Sequence, residues 1–290
     1  MALAGASTSG FGISPTFGQV DLAAGQAQAQ YDIKLTNHNS VDQSFRLSVV
    51  DFGTLDEEGG VAFLGTPTSE LEHKYGLASW MSLSSDAAFV SAGQTTRITI
   101  TIANRPSLSP GGHYGAVLAT AVTDDGKPEG DRVGVQQVLA SLVLATKEGG
   151  AERDLRLVGQ TTNARAWRLP TRVEQRYQNA GNVHVTPRGV VQVRDPWGRV
   201  VRQAAINDGS GVILPESFRR YTTQLLSVRR AWMPGRYQVV STYRYDGTTA
   251  TKTFTTSVWY AGLAIVWVVG IAGLVATGVL AWWLWRRYHR

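Results

Sequence analysis

Apolar and polar residues alternate with a period of two through most of the first 257 positions. Tyr31-Asp32-Ile33-Lys34-Leu35-Thr36, Phe45-Arg46-Leu47-Ser48-Val49 and Arg97-Ile98-Thr99-Ile100-Thr101-Ile102 show it most plainly, and residues 190–193 and 237–245 behave similarly. Such alternation turns one side of a strand toward a core and the other toward water. No amphipathic helix pattern precedes residue 258. Short strands separated by Gly, Pro and Asn turns predict an all-β protein of two tandem immunoglobulin-like β-sandwiches, followed by one C-terminal transmembrane α-helix.

The period disappears at 258–285, VWYAGLAIVWVVGIAGLVATGVLAWWLW, which contains no charged residue. About 20 apolar residues suffice to cross a bilayer as a helix. Trp259 and Tyr260 mark one end of the stretch and Trp282, Trp283 and Trp285 the other, as interfacial aromatic anchors do. Arg286, Arg287 and Arg290 follow at once. Positive residues beside a span favour the cytoplasmic side. The expected location is therefore the plasma membrane, single-pass, with the bulk of the chain extracytoplasmic and the C-terminus cytoplasmic. Such a topology calls for an export signal. Ala2-Leu3-Ala4 has the A-x-A form of a cleavage site without its apolar stretch, so the sequence is expected to begin at or near a processed end, or with its true start clipped.

A composition shift divides the exported part. The polar, Gly-containing stretch at 146–151 separates an acidic section from a basic one. Residues 1–153 carry 9 basic and 16 acidic side chains, residues 154–257 carry 16 and 6, and the formal net charge is +6. The expected organisation is a flexible segment or signal remnant at 1–9, an acidic sandwich at 10–147 and a linker at 148–153. A basic sandwich at 154–257, the span at 258–285 and a basic tail at 286–290 complete it. The halves echo each other. Pro110-Gly111-Gly112-His113-Tyr114 and Pro234-Gly235-Arg236-Tyr237 each lead into a strand, and strands end at Asn37-His38-Asn39 and at Asn179-Ala180-Gly181-Asn182. The placement of the basic section outside the cytoplasm argues against nucleic acid as its partner and for anionic lipid or wall polymer.

Little in the sequence suggests chemistry. There are no cysteines, so thiolate metal sites, disulfides and Cys nucleophiles are excluded. His38, His73, His113, His184 and His289 show no metal-ligand spacing, and no phosphate-binding or nucleophile-elbow motif occurs. No enzyme activity, cofactor or metal is expected. Asp51, Asp56, Glu57 and Glu58 around Gly59-Gly60 read as a solvated acidic hairpin. Tyr75, Trp80, His113 and Tyr114 form a candidate ligand surface, since amphipathic aromatics suit sugar rings. Trp80 also suits a plug of the sandwich core. Arg219, Arg220, Arg229, Arg230, Arg236 and Arg244 are candidates for contact with anionic polymer or lipid.

The layout resembles a known family. Ile13-Ser14-Pro15, the Gly59-Gly60 loop, the 110–115 stretch, the 179–189 stretch, Val212-Ile213-Leu214-Pro215-Glu216-Ser217-Phe218-Arg219 and the basic-ended span look like bacterial cell-surface proteins related to the WxL-interacting proteins. That resemblance implies a peptidoglycan-binding sandwich followed by a second immunoglobulin-like domain on a membrane anchor. The expected function is a non-catalytic bacterial surface protein binding peptidoglycan or another wall polymer, or another surface protein, as an adhesion or scaffolding module. The alternative is an accessory or sensor subunit of an envelope secretion or transport complex.

Overall fold

A computed structural model describes residues 10–67, 69, 73–122 and 137–288. The leader pattern at Ala2–Ala4, residues Glu70, Leu71 and Glu72, and the tail residues His289 and Arg290 lie outside them. The fold is a two-domain immunoglobulin-like β-sandwich with one C-terminal helix. The chain divides into two compact units. Unit 1 takes residues 1–154 together with 181–184 and 214–216, and unit 2 takes 155–180, 185–213 and 217–290.

In unit 1, β1 (Phe11–Ser14), β3 (Gln28–Asn37), β8 (Thr95–Ala103) and β6 (Met81–Leu83) form one sheet in the order β1-β3-β8-β6. The other runs β2 (Phe17–Leu22), β10 (Val138–Lys147), β9 (Gly111–Ala121), β4 (Gln43–Thr54), β5 (Val61–Gly65), with β7 (Ala87–Val90) also on β4. The period of two does its expected work in β3 and β8. Ile33, Leu35, Ile98, Ile100 and Ile102 point into a core shared with Phe45, Leu47 and Trp80. Threonines and Arg97 lie on the other face. The buried Asn37 ends β3. Its amide donates to the carbonyls of Val41 and Val90 and its oxygen accepts the Asn39 N–H, so the corner closes without an orphaned group.

Strand β9 departs from the expected pattern. The sequence places its start at Ala116, after a Pro-Gly-Gly turn, yet the ladder with β10 begins at Gly111. Residues 111–117 are all buried, so no alternation marks them. The glycines make this crowding feasible. A Cβ on Gly112 would lie 2.2 Å from the Tyr114 hydroxyl, and one on Gly115 would lie 2.6 Å from Met81 Sδ.

In unit 2, β11 (Leu155–Thr162), β12 (Arg172–Asn179) and β15 (Phe218–Gln224) face a second sheet. Its strands are β16 (Leu226–Ser227), β14 (Val200–Ile206), β13 (Arg188–Arg194), β17 (Gly235–Arg244) and β18 (Lys252–Tyr260), in that order. Tyr177, Val191, Val193, Tyr237, Val239 and Tyr243 fill the space between them. One residue, Ala261, separates β18 from α1 (Gly262–Tyr288). Gly262 has φ +69°, a left-handed conformation that turns the chain from strand to helix. Residues Trp267–Tyr288 have a mean hydropathy of 1.9 in their most apolar window and none of that window is buried, so α1 is long and apolar enough to cross a membrane.

Gly189 on β13 sits against β17, where a Cβ would lie 2.1 Å from the Thr242 carbonyl oxygen and 2.7 Å from Tyr243 Cα. Gly189→Ala is expected to destabilise the full chain in detergent by about 1–3 kcal/mol, the range for overpacking. Gly209→Ala, with nothing within 4 Å, is expected to stay within about 0.5 kcal/mol. Denaturant titration of the two variants checks both.

Candidate functional site

Two features of unit 1 compete for the functional site, a buried polar knot and an open sheet edge. The knot is built on Asp51, near the end of β4 and 2% exposed. Its Oδ1 accepts the N–H groups of Leu77 and Ala78 at 2.8 and 2.7 Å, and His73 Nδ1 donates to Oδ2 at 2.7 Å. Gly76 passes so close that a Cβ there would lie 2.4 Å from Asp51 Oδ2. A carboxylate out of water needs these partners, and here they also pin residues 73–78 onto the sheet.

His113 lies nearby, its Nδ1 3.0 Å from the Gly76 carbonyl and its Nε2 2.8 Å from that of Ser109. Burial is the largest influence on this ring and pushes its pKa below the ordinary histidine value, against the pull of the two carbonyls. The Tyr114 hydroxyl accepts the His184 N–H at 2.8 Å, and burial holds the phenol neutral far above its usual range. At the surface, Tyr75 donates to Glu216 at 3.0 Å and Lys74 ion-pairs with the same carboxylate. These hydrogen bonds raise the Lys74 pKa and lower that of Glu216. His184 and Glu216 come from the two short segments that belong to unit 1, and nothing in the linear sequence marks them as such.

The four aromatics selected from sequence do gather. Tyr75 and Tyr114 rings lie 6.5 Å apart and Trp80 and His113 rings 6.2 Å apart. Tyr75 stays partly exposed, but the other three lie beneath the surface, with Trp80 6%, His113 2% and Tyr114 1% exposed. No ring face of those three is open for a sugar to stack on. Their shared property is apolar bulk, which the sandwich interior claims first. The acidic loop also separates. Asp51 is in the knot, while Asp56 caps its own turn by accepting the N–H groups of Glu58 and Gly60. Among the described residues no group of three or more His, Cys, Asp or Glu is placed to hold a metal ion.

The six arginines do not form one face. Arg219 and Arg220 sit on β15, with Arg219 donating to the Val212 carbonyl. Arg229, Arg230 and Arg236 lie near the start of β17, and Arg244 closes its far end, paired with Arg188. The anchors Trp259 and Tyr260 end β18, and Trp282, Trp283, Trp285, Arg286 and Arg287 lie in the last turns of α1. Arg286 stacks over Trp282 and Arg287 over Trp283, each 5.1 Å from the ring centre.

The open edge is β5. It is the outermost strand beyond β4, and its sequence is Val61-Ala62-Phe63-Leu64-Gly65. Phe63 and Leu64 are each 47% exposed, and Val61 and Leu55 of the same hairpin are exposed too. Native edge strands are ordinarily blunted by charge, proline or brevity. Among the described edge strands of five or more residues, β2 carries Asp21, β11 Arg156, β15 Arg219 and Arg220, and β18 Lys252, whereas β5 carries no charge. Its five residues are all apolar or Gly, so the period of two that marks β3 and β8 is missing from β5.

No family model matches the chain, and no curated protein matches its sequence. Solved structures do match in fold. A chain from the chaperone–tip adhesin complex of CFA/I fimbriae biogenesis aligns at 13% identity with a TM-score of 0.46, covering 86% of this chain and 98% of its own. The class 5 fimbriae chaperone CfaA aligns at 13% and 0.44, covering 85% and 99%. A chain from the Salmonella enterica complex of the SafA pilin with the SafB chaperone aligns at 10% and 0.40, covering 86% and 97%. These neighbours are chaperones of pilus biogenesis rather than WxL-interacting proteins. The resemblance drawn from the turn and strand signatures is thereby corrected, and so is the function it implied, the binding of peptidoglycan or wall polymer as an adhesion or scaffolding module. The signatures themselves are turn chemistry that many sandwiches share. The reading as a secretion or transport subunit gains nothing from these structures either.

Two outcomes check the knot. Asp51→Ala strands two backbone N–H groups and is expected to cost about 1–3 kcal/mol for each, read by denaturation of the full chain in detergent. For His113, the unfolded ring takes up a proton near pH 6.5 and the buried ring only at lower pH. The linked stability is full above that value and is lost as pH falls through the depressed folded pKa. The thermal midpoint of His113→Gln is therefore expected to fall less between pH 7 and pH 5 than that of the parent chain.

Proposed function

We propose that the chain is a non-catalytic protein-binding module, anchored in the plasma membrane by α1 and displayed outside the cytoplasm, that takes up an extended segment of another exported protein along β5. The observation that carries this reading is the uncharged, apolar edge of β5. An antiparallel ladder turns alternate backbone groups outward from an edge strand, and an incoming strand satisfies them in register. Exposed Val61, Phe63 and Leu64 then supply apolar contact on the two faces of the extended sheet. The reading is one of capture rather than of adhesion or scaffolding, since an edge pairs with many sequences and side chains only tune the choice. The neighbouring chaperones are named with a tip adhesin or a pilin, which would be partners of the same chemical class.

Orientation follows from charge. Arg286 and Arg287 at the end of α1 favour the cytoplasmic side and leave both sandwiches outside. Unit 1 then works where folding or assembling exported chains present unpaired segments.

A photoreactive amino acid at Val61 of the full chain in its own membrane tests the reading. The expected result is an adduct to a segment of an exported protein, lost with Phe63→Lys and with Ala62→Pro. The same label at Val190, an exposed position on β13, is expected to give no such adduct. Adduct formation equal at the two positions, or insensitive to both substitutions, overturns it.

A further inference from the structure

The two sandwiches hold five of the nine tryptophans, and four of those five sit at one end of unit 2. Trp167 lies in the β11–β12 connection, Trp197 in the β13–β14 turn, Trp232 in the β16–β17 connection and Trp259 at the end of β18. The ladders place these loops together. Thr162 pairs with Val173, Arg194 with both Val200 and Gln238, and Gly235 with Tyr260. The two sheets meet at this end, where the Ala261 N–H donates to the Ala166 carbonyl at 2.5 Å. It is also the end from which α1 departs, since a Cβ on Gly262 would lie 3.5 Å from the Trp232 carbonyl oxygen.

None of these tryptophans is in the core. Trp167 is 63% exposed, Trp197 50%, Trp232 67% and Trp259 62%. Exposure of four large indoles is costly unless something other than water meets them. Their loops are also braced. Asn163 accepts the N–H groups of Thr171 and Arg172, which shapes the Trp167 connection. The buried Asp195 accepts those of Trp197 and Arg199, which fixes the turn Asp195-Pro196-Trp197-Gly198-Arg199. The Trp197 and Trp232 rings lie 6.0 Å apart, and Arg199 lies 5.6 Å over Trp197. Beside them Arg229 and Arg230 line a cleft of about 200 Å³. Arg165, Arg168 and Arg236 are exposed at the same end. The carboxylates there are engaged, Asp195 in its turn and Glu174 with Arg172. The loops at the opposite end of unit 2, at 207–213 and 245–251, hold no tryptophan and carry Asp208 and Asp246.

We infer that this end of unit 2 is a membrane-seating surface, in which Trp197 and Trp232 enter the interfacial layer while Arg199, Arg229 and Arg230 bind the phosphates of anionic lipid headgroups. The inference rests on α1 spanning the membrane, as in the function proposed above, and is independent of what β5 holds. Indoles prefer the headgroup layer, and arginine forks match phosphate oxygens. The single residue between β18 and α1 holds the surface at the bilayer, so its partner is fixed by chain continuity.

The chain has no cysteine, so a single introduced one reports a single place. The full chain is reconstituted in nanodiscs of phosphatidylcholine alone and of phosphatidylcholine with phosphatidylglycerol, with a bimane label on Val228→Cys or on Gly209→Cys. Lipids carrying a headgroup nitroxide serve as quencher. The expected result is strong quenching at position 228 in the anionic nanodiscs, weaker in the neutral ones, and little at position 209 in either. Arg229→Gln with Arg230→Gln, and separately Trp197→Ser with Trp232→Ser, are expected to bring position 228 down to the level of 209. All four replaced side chains are exposed, and an unchanged thermal midpoint confirms that each variant is folded. Inorganic phosphate at matched ionic strength is expected to leave the quenching unchanged. Equal quenching at 228 and 209, or quenching at 228 that survives both double substitutions, overturns the inference. Displacement by phosphate assigns the cleft to the free ion and also overturns it. A chain that enters nanodiscs but stays unquenched sinks the seating surface alone, whereas failure to enter sinks the anchor and the seating surface together.

Discussion

A peptide group removed from water must find a partner, and this requirement organises the molecule from end to end. In the sandwiches the partners come from neighbouring strands, and the outer side of each edge strand has no ladder partner among the described residues. In α1 they come from within the helix, which is why a single strand of this chain cannot cross lipid but a 27-residue helix can. Where neither device reaches, side chains take over. Asn37 closes a strand end, Asp51 collects the N–H groups of an irregular segment, and Asp195 and Asn163 brace the loops beside the helix. Among the longer edge strands, β5 differs in carrying no charge. Its ladder has one open side and its side chains do nothing to discourage a newcomer.

Burial and charge then separate what is structural from what is available. Asp51, His113 and Tyr114 are chemically the richest group in unit 1, yet they are enclosed and spent on His73 and on backbone groups. Their pairing fixes the 73–78 segment against β4 and β9. The exposed chemistry is plainer, being apolar on β5 and aromatic with arginine where unit 2 meets its helix.

The fold class was readable because β3 and β8 alternate without interruption and because 258–285 is apolar on every side. Other elements were not, for reasons that are physical rather than statistical. Strand β9 is covered on both faces at Gly111–Val117, so its inward and outward residues do not differ in polarity. Its glycines read as a turn while serving as clearance for Tyr114 and Met81. Trp80, His113 and Tyr114 carried the signal of a ligand surface, since the groups that recognise sugars are also those that fill cores. The six arginines look like one patch in sequence, but Arg219 and Arg220 are strand neighbours on β15 that point to opposite sides, and β17 separates Arg236 from Arg244 by its full length. The four indoles of unit 2 are scattered over 93 positions of sequence and become neighbours only through the ladder register.

The glycine at position 262 has a consequence for reach. With Ala261 alone between strand and helix, there is no slack for unit 2 to wander away from its anchor. Strand β18, nine residues long, rises about 30 Å at the usual spacing. Where α1 crosses a bilayer, so short a connection holds the adjoining loops of unit 2 within a thin slab of space beside it.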